Sequence, residues 1–158
     1  MTRDLCLLAA FTLAVASHAV GQSAPLKGLS DVRVSVEASP SDSLKAFGFD
    51  VDQVQNDAEL RLRELGIRVN AASRVHLWMG LDAHPGTNQF SGALMCQLRE
   101  PVTLARIPGS YFEATTWTEG FTFVVGTKNV PELAARVMDC VNRFANAYLE
   151  ANPRTSPR

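Results

Sequence analysis

The chain lacks most of the features that announce a chemistry. It has three cysteines and three histidines in 158 residues, with neither the Cys-x-x-Cys nor the His-x-x-x-His spacing of a redox or metal site. No Gly-x-Ser-x-Gly elbow marks a nucleophile. Gly120 to Lys128 has a superficial likeness to a phosphate loop. However, five residues separate Gly120 from Gly126, and Thr127 precedes Lys128, the reverse of the order that motif needs. No dinucleotide fingerprint occurs either. Basic surplus is also missing: fifteen Lys and Arg against sixteen Asp and Glu leave a formal net charge of −1. That excludes a nucleic-acid binder held mainly by charge. Neither a cofactor nor a metal is expected, and no residue is singled out as catalytic. The pairs Asp50/Asp52 and Asp57/Glu59 lie in or near the first turns of a helix, where the dipole already favours negative charge.

A long hydrophobic run is absent too. Leu5 to Ala16 is almost unbroken in apolar residues, yet at about 1.5 Å per residue it falls short of a hydrocarbon core of roughly 30 Å. Small residues follow, and Ser17-His18-Ala19 and Ala19-Val20-Gly21 both fit a small-x-small cleavage rule. Residues 1–21 therefore read as an export signal. Cys6 stands at the start of the apolar run, away from where a lipoprotein site would lie. The expectation is a chain exported to the periplasm or secreted, with no stable membrane span after cleavage. One domain occupies residues 22–150, and residues 151–158 form a flexible tail. A hydrophobic content of 46% and a charged content of 20% suit a folded domain with a real core.

What is present is periodicity. Val32, Val34 and Val36 alternate with Arg33, Ser35 and Glu37, the pattern of a half-buried strand. Ser39 to Ser43 reads as a loop. Asp50 followed by Gln53 starts a helix whose stripe is Val54, Ala58, Leu62 and Leu65, and Gly66 stops it. Residues 67–69 read as a short strand. Val75, Leu77, Met79 and Leu81 alternate with His76 and Trp78 in another. Residues 90–106 suit a long strand or a bent pair, and residues 111–119 and 121–125 are strand-prone. Asn129-x-x-Glu132, with Pro131 between, predicts a capped last helix with the stripe Leu133, Val137, Cys140, Val141, Phe144 and Tyr148. Each helix has one apolar stripe and needs one sheet face. The expected fold is α+β: a two-layer sandwich of a mostly antiparallel four- to five-stranded sheet with two helices on one face, in the order β-α-β-β-β-β-α.

In such a fold the second sheet face is open. With Val75, Leu77, Met79 and Leu81 turned to the helices, Trp78 projects from the open face beside His76. With Ala114, Thr116 and Thr118 turned inward, Trp117 joins it, and Met95 falls between the two rings. A solvent-facing sheet with two tryptophans and a methionine suggests a binding surface. Cys96, in a strand, and Cys140, on the last helix, can meet across the core. Sequence leaves open whether they form a disulfide or remain two buried thiols.

The segments GLSDVRVSVEA, AELRLRELGIRV, FEATTWTEGFTFVVGTKNV and NRFANAYLEANP resemble, in order and over most of the chain after residue 21, an uncharacterised family of small exported bacterial proteins. The Ala114–Trp117 block carries the most specific part of the resemblance, which implies export from a bacterium and transfers no catalytic residue. In architecture the chain is also similar to small envelope domains such as the TolB amino-terminal domain and LptE. That similarity speaks to fold alone.

The function expected from these readings is a non-enzymatic binding module of the cell envelope. Its open sheet face would engage an envelope protein or a second copy of the chain. The alternatives are a carrier or sensor of a small ligand, and a hydrolase with a site built on His76 or His84. A ligand library separates the first, through tryptophan fluorescence and melting temperature. Turnover of a generic ester or peptide, abolished by His→Ala, separates the second.

Overall fold

The computed structural model describes residues 24–153. The export-signal segment lies outside the described residues, as do the last five residues of the expected tail. The alternation of Val34 and Val36 with Arg33, Ser35 and Glu37 makes β1 (Arg33–Ser39), with both valines buried. A short helix, α1 (Ser41–Ala46), follows where turn chemistry suggested a loop, and Leu44 buries it against the core. Asp50 then caps α2 (Val51–Glu64): its Oδ1 accepts from the amides of Asp52 and Gln53 at 3.0 and 3.2 Å. The helix ends on Gly66 at φ 81°. There the Gly66 amide donates to Arg63 O and the Ile67 amide to Leu62 O, the paired bonds of a Schellman stop.

Three long strands come next: β2 (His76–Gly86), β3 (Gln89–Thr103) and β4 (Tyr111–Gly126). Thr87 and Asn88 close the β2–β3 hairpin, with Asn88 left-handed at φ 57°. A 3₁₀ turn at Thr127–Asn129 leads into α3 (Glu132–Ala151). The strand order is β1-β2-β3-β4; β1 runs parallel to β2, and the other pairs are antiparallel. The fold is thus an α+β two-layer sandwich on a mixed, open, four-stranded sheet. The parallel pair follows from the helix inserted between β1 and β2, since a crossover returns the chain in the same direction.

Several expectations need correcting. Residues 67–69 contribute only a single bridge, Val32 to Val69, and not a strand. Residues 111–119 and 121–125 belong to one continuous strand. Asn129 does not cap the last helix, because the chain is already turning helically at that point and Pro131 stands at the N-cap without a side-chain bond. Ala151 closes α3, and Asn152 is tied down instead of starting a free tail. Its Oδ1 accepts from the Gly28 amide at 2.8 Å, and its Nδ2 donates to Leu26 O and Tyr148 O. Ahead of β1, Leu26 of the 3₁₀ turn Ala24–Leu26 is fully buried.

Both long helices cover the same sheet face. Of the stripe expected for α3, Leu133, Val137, Cys140, Val141 and Phe144 are buried, Ala145 joins them, and Tyr148 is only partly buried against the core. Arg61 Nε of α2 donates to Asn142 Oδ1 of α3 at 2.9 Å. Cys96 of β3 and Cys140 of α3 form a disulfide, with Cα atoms 6.6 Å apart. The two exposed edges of the sheet differ. The β1 edge is guarded, since Gln55 Oε1 accepts from the Val36 amide and the Val69 bridge covers Val32. The β4 edge has no strand partner among the described residues.

The disulfide joins positions 44 residues apart, so by the chain-entropy argument it stabilises the fold by about 4 kcal/mol. Equilibrium denaturation of the Cys96→Ala/Cys140→Ala variant is expected to show a loss of that order. A loss below about 1 kcal/mol would mean that packing around Cys140, not the cross-link, holds α3. Asn152→Ala, which removes all three clasp bonds, is expected to cost about 1–3 kcal/mol in the same assay.

Candidate functional site

Alternation along β1, β2 and β3 gives the face opposite the helices its own residue rows. The register Arg33↔His76↔Arg99 forms one row and Ser35↔Trp78↔Gln97 the next. Glu37↔Gly80↔Met95↔Gly120 follows. His76, Trp78 and Met95 therefore share this outer face. Trp78 is half-buried and lies flat along its own strand, since a Cβ on Gly80 would collide with the far edge of the indole. Gly80 is thus what lets the ring rest on the sheet. The Arg99 guanidinium stacks over the indole, 4.0 Å from the ring centroid. Met95 is 38% exposed, and its Sδ stands 2.6 Å from where a Cβ on Gly120 would be. Beside it is an open depression of about 390 Å³ lined by Ala93, Met95, Thr118, Gly120 and Thr122 among others.

Trp117 is elsewhere. It is 3% exposed on the helix face, opposite Leu98, and meets Phe144 edge-on at 5.3 Å between ring centroids. The expectation that it stands beside Trp78 is overturned by a β-bulge. Between Leu98 and Arg99 the register on β4 steps from Trp117 to Thr115, so the extra residue Thr116 shifts the phase of the strand. The expected inward turn of Thr118 is reversed with it. His84 lies eight positions along β2 from His76, about 27 Å at strand rise, and pairs weakly with Asp82 at 3.8 Å.

The hydrogen bonds of His76 determine its proton. Arg33 Nη2 stands 3.0 Å from His76 Nδ1, and a guanidinium can only donate, so Nδ1 accepts. The proton therefore sits on Nε2, which donates to Ser35 Oγ at 2.7 Å. Burial holds the imidazole below its ordinary pKa of 6.5, and the positive charges of Arg33 and Arg99 push it the same way, against the weaker pull of Glu113 and Glu37. The Ser35–His76 pair thus has the wrong polarity for nucleophilic activation. A hydrolytic base needs a bare nitrogen facing the serine and a carboxylate on the other nitrogen; here the facing nitrogen carries a proton and a cation takes the place of the carboxylate.

Sequence reasoning missed Arg99, Gln97, Gly80 and Gly120. It had placed Arg33 and Ser35 on the polar side of β1, but joining them to His76 and Arg99 requires the cross-strand register. Among the described residues, no group of three or more His, Cys, Asp or Glu is placed to hold a metal ion. No helix among them is long and apolar enough to cross a membrane. No protein-family model matches the chain, and no curated protein matches it.

Two predictions follow from this geometry. Trp117→Ser is expected to cost about 3–5 kcal/mol, as for other buried aromatic truncations; Trp78→Ser should cost nearer 1 kcal/mol. Denaturation of the two single variants checks the contrast. For His76, the folded-state pKa lies below the unfolded value, so the unfolded chain binds the extra proton between the two. Stability is therefore complete above the unfolded pKa of about 6.5 and falls as pH drops through it toward the folded value. A His76→Gln variant should lose this slope below about pH 6.5, and equal slopes would show that another group is responsible.

Proposed function

We propose that the protein is an exported bacterial module of the cell envelope that binds a protein partner through the outer face of its sheet. The observation that carries this reading is the strip formed by Trp78, Met95 and the adjoining depression. These apolar groups lie on the face that the core does not use. Tryptophan and methionine are over-represented in binding surfaces, and a depression of this size accepts a side chain of a partner. Arg99 and Gln97 fix the indole in place, so the surface is organised before contact, which lowers the entropy cost of binding. Export is supported by the apolar segment at Leu5–Ala16 with its small-residue sites. It is supported further by a disulfide in the core, which persists in oxidising compartments.

The test is crosslinking capture from native envelopes with the wild type and a Trp78→Ser/Met95→Ser variant, both checked by circular dichroism. One protein captured by wild type and lost with the variant is the expected result. A second variant, Gly80→Ala, keeps the tryptophan but lifts its ring off the sheet, and should weaken capture as well. Unchanged capture with both would remove the outer face from the function.

A further inference from the structure

At one end of the outer face, two guanidiniums flank one imidazole in the row Arg33↔His76↔Arg99. Among the described residues, neither guanidinium has a carboxylate within 4.0 Å; the ion pairs there involve Arg61, Arg63, His84 and Arg143. Both are nevertheless held in place. Arg33 gives one hydrogen bond to His76 Nδ1. Arg99 gives two to Gln97 Oε1, at 3.2 and 2.9 Å, and lies over Trp78. A guanidinium has five N–H donors, so most of those on each are left without an acceptor in this set of bonds. His76 is neutral through its bonds to Arg33 and Ser35, so it offsets neither charge.

The spacing fits an anion. Strands lie about 4.8 Å apart, which puts the Cα atoms of Arg33 and Arg99, two strands apart, about 10 Å from each other. Side chains reaching from both positions can hold one small oxyanion between them at the 2.7–2.9 Å typical of charge-assisted bonds. The remaining charges of the face restrict its size. Glu113 lies nearby, and Glu37 and Asp82 lie toward the other end. They make a polyanion a poor occupant and a single carboxylate a good one.

We propose that this end of the face binds the carboxylate of a peptide segment, whose neighbouring apolar side chain lies on Trp78 and Met95. The inference rests on the reading of the outer face as a protein-binding surface. The carboxylate belongs to a chain terminus or to an acidic side chain, and the same two arginines recognise either.

The test uses the isotopically labelled chain and three probes: N-acetyl-leucine, its amide, and N-acetyl-glutamic acid α-amide. NMR follows the indole N–H of Trp78 and the titration of the His76 ring. A carboxylate bound between the arginines should move the indole signal saturably and raise the His76 midpoint, because negative charge favours the imidazolium. The leucine amide should bind at least about tenfold more weakly than the acid. Whichever acid binds more tightly identifies the source of the carboxylate. In the Arg33→Gln/Arg99→Gln variant the preference for acid should vanish while the amide's weak binding persists. Added salt should weaken the acids on wild type and leave the amide unchanged, a check independent of how the variant folds. Equal binding of N-acetyl-leucine and its amide would overturn the carboxylate inference while leaving the apolar face intact. So would an acid preference that survives the double substitution, or no response to either acid. Loss of the outer-face reading itself shows separately, as envelope capture unchanged by Trp78→Ser/Met95→Ser.

Discussion

The Cys96–Cys140 disulfide and the Trp117–Phe144 contact fasten α3 to the sheet face that α2 already covers. Strand side chains alternate, so this one-sided covering sorts the strand residues into two environments. Val34, Leu77, Met79, Leu94 and Leu98 go to the core, where their burial drives folding. Arg33, Ser35, His76, Trp78, Gln97 and Arg99 are left on a face that contributes no core. Their identities answer to other demands. Trp78 rests on a glycine and beneath a guanidinium, an arrangement that satisfies the ring without a second layer of protein.

What was legible in the sequence was local and periodic. The valines of β1, the Asp50 cap and Gly66 stop of α2, and the apolar stripe of α3 depend on residues a few positions apart, and each was read correctly. The failures have a common physical origin in partners far along the chain. The bulge at Thr116 reverses the phase of β4 and brings Trp117 onto Phe144, 27 residues on. Asn152 is anchored by Gly28 and Leu26, more than 120 residues away. Residues 67–69 stay short of a strand because only Val69 forms a bridge, to Val32 just ahead of β1. Even the capping pattern at Asn129 misled, since a 3₁₀ turn already holds that residue within helical backbone.

The outer-face cluster was half legible for the same reason. Alternation put Arg33 and Ser35 on one side of β1 and His76 and Trp78 on one side of β2. Only the parallel register Arg33↔His76, continued by His76↔Arg99, turns separate polar positions into a site. The register also decides the chemistry. A serine 2.7 Å from a histidine invites a catalytic reading, but the group on the far nitrogen determines which way the proton points. With a carboxylate there, the histidine would face Ser35 as a base; with Arg33 there, it faces Ser35 as a donor.

That inversion gives the imidazole a different role. A neutral His76 adds no charge between Arg33 and Arg99, yet it positions Arg33 by accepting from it and leaves that cation unneutralised. Arg99 is positioned with equal economy by Gln97, an acceptor without charge. Both cations are thus orientated by neutral partners, whereas the guanidiniums of Arg63 and Arg143 are met by glutamates. Paired with a carboxylate, each guanidinium would already have its counter-charge and little attraction for another. Held by neutral acceptors instead, the two keep their full charge at one end of an apolar strip, where Glu113 is the nearby carboxylate, and Glu37 and Asp82 lie toward the other end. The face therefore has a direction as well as a surface, and an extended partner would meet complementary charge in one orientation and like charge in the reverse.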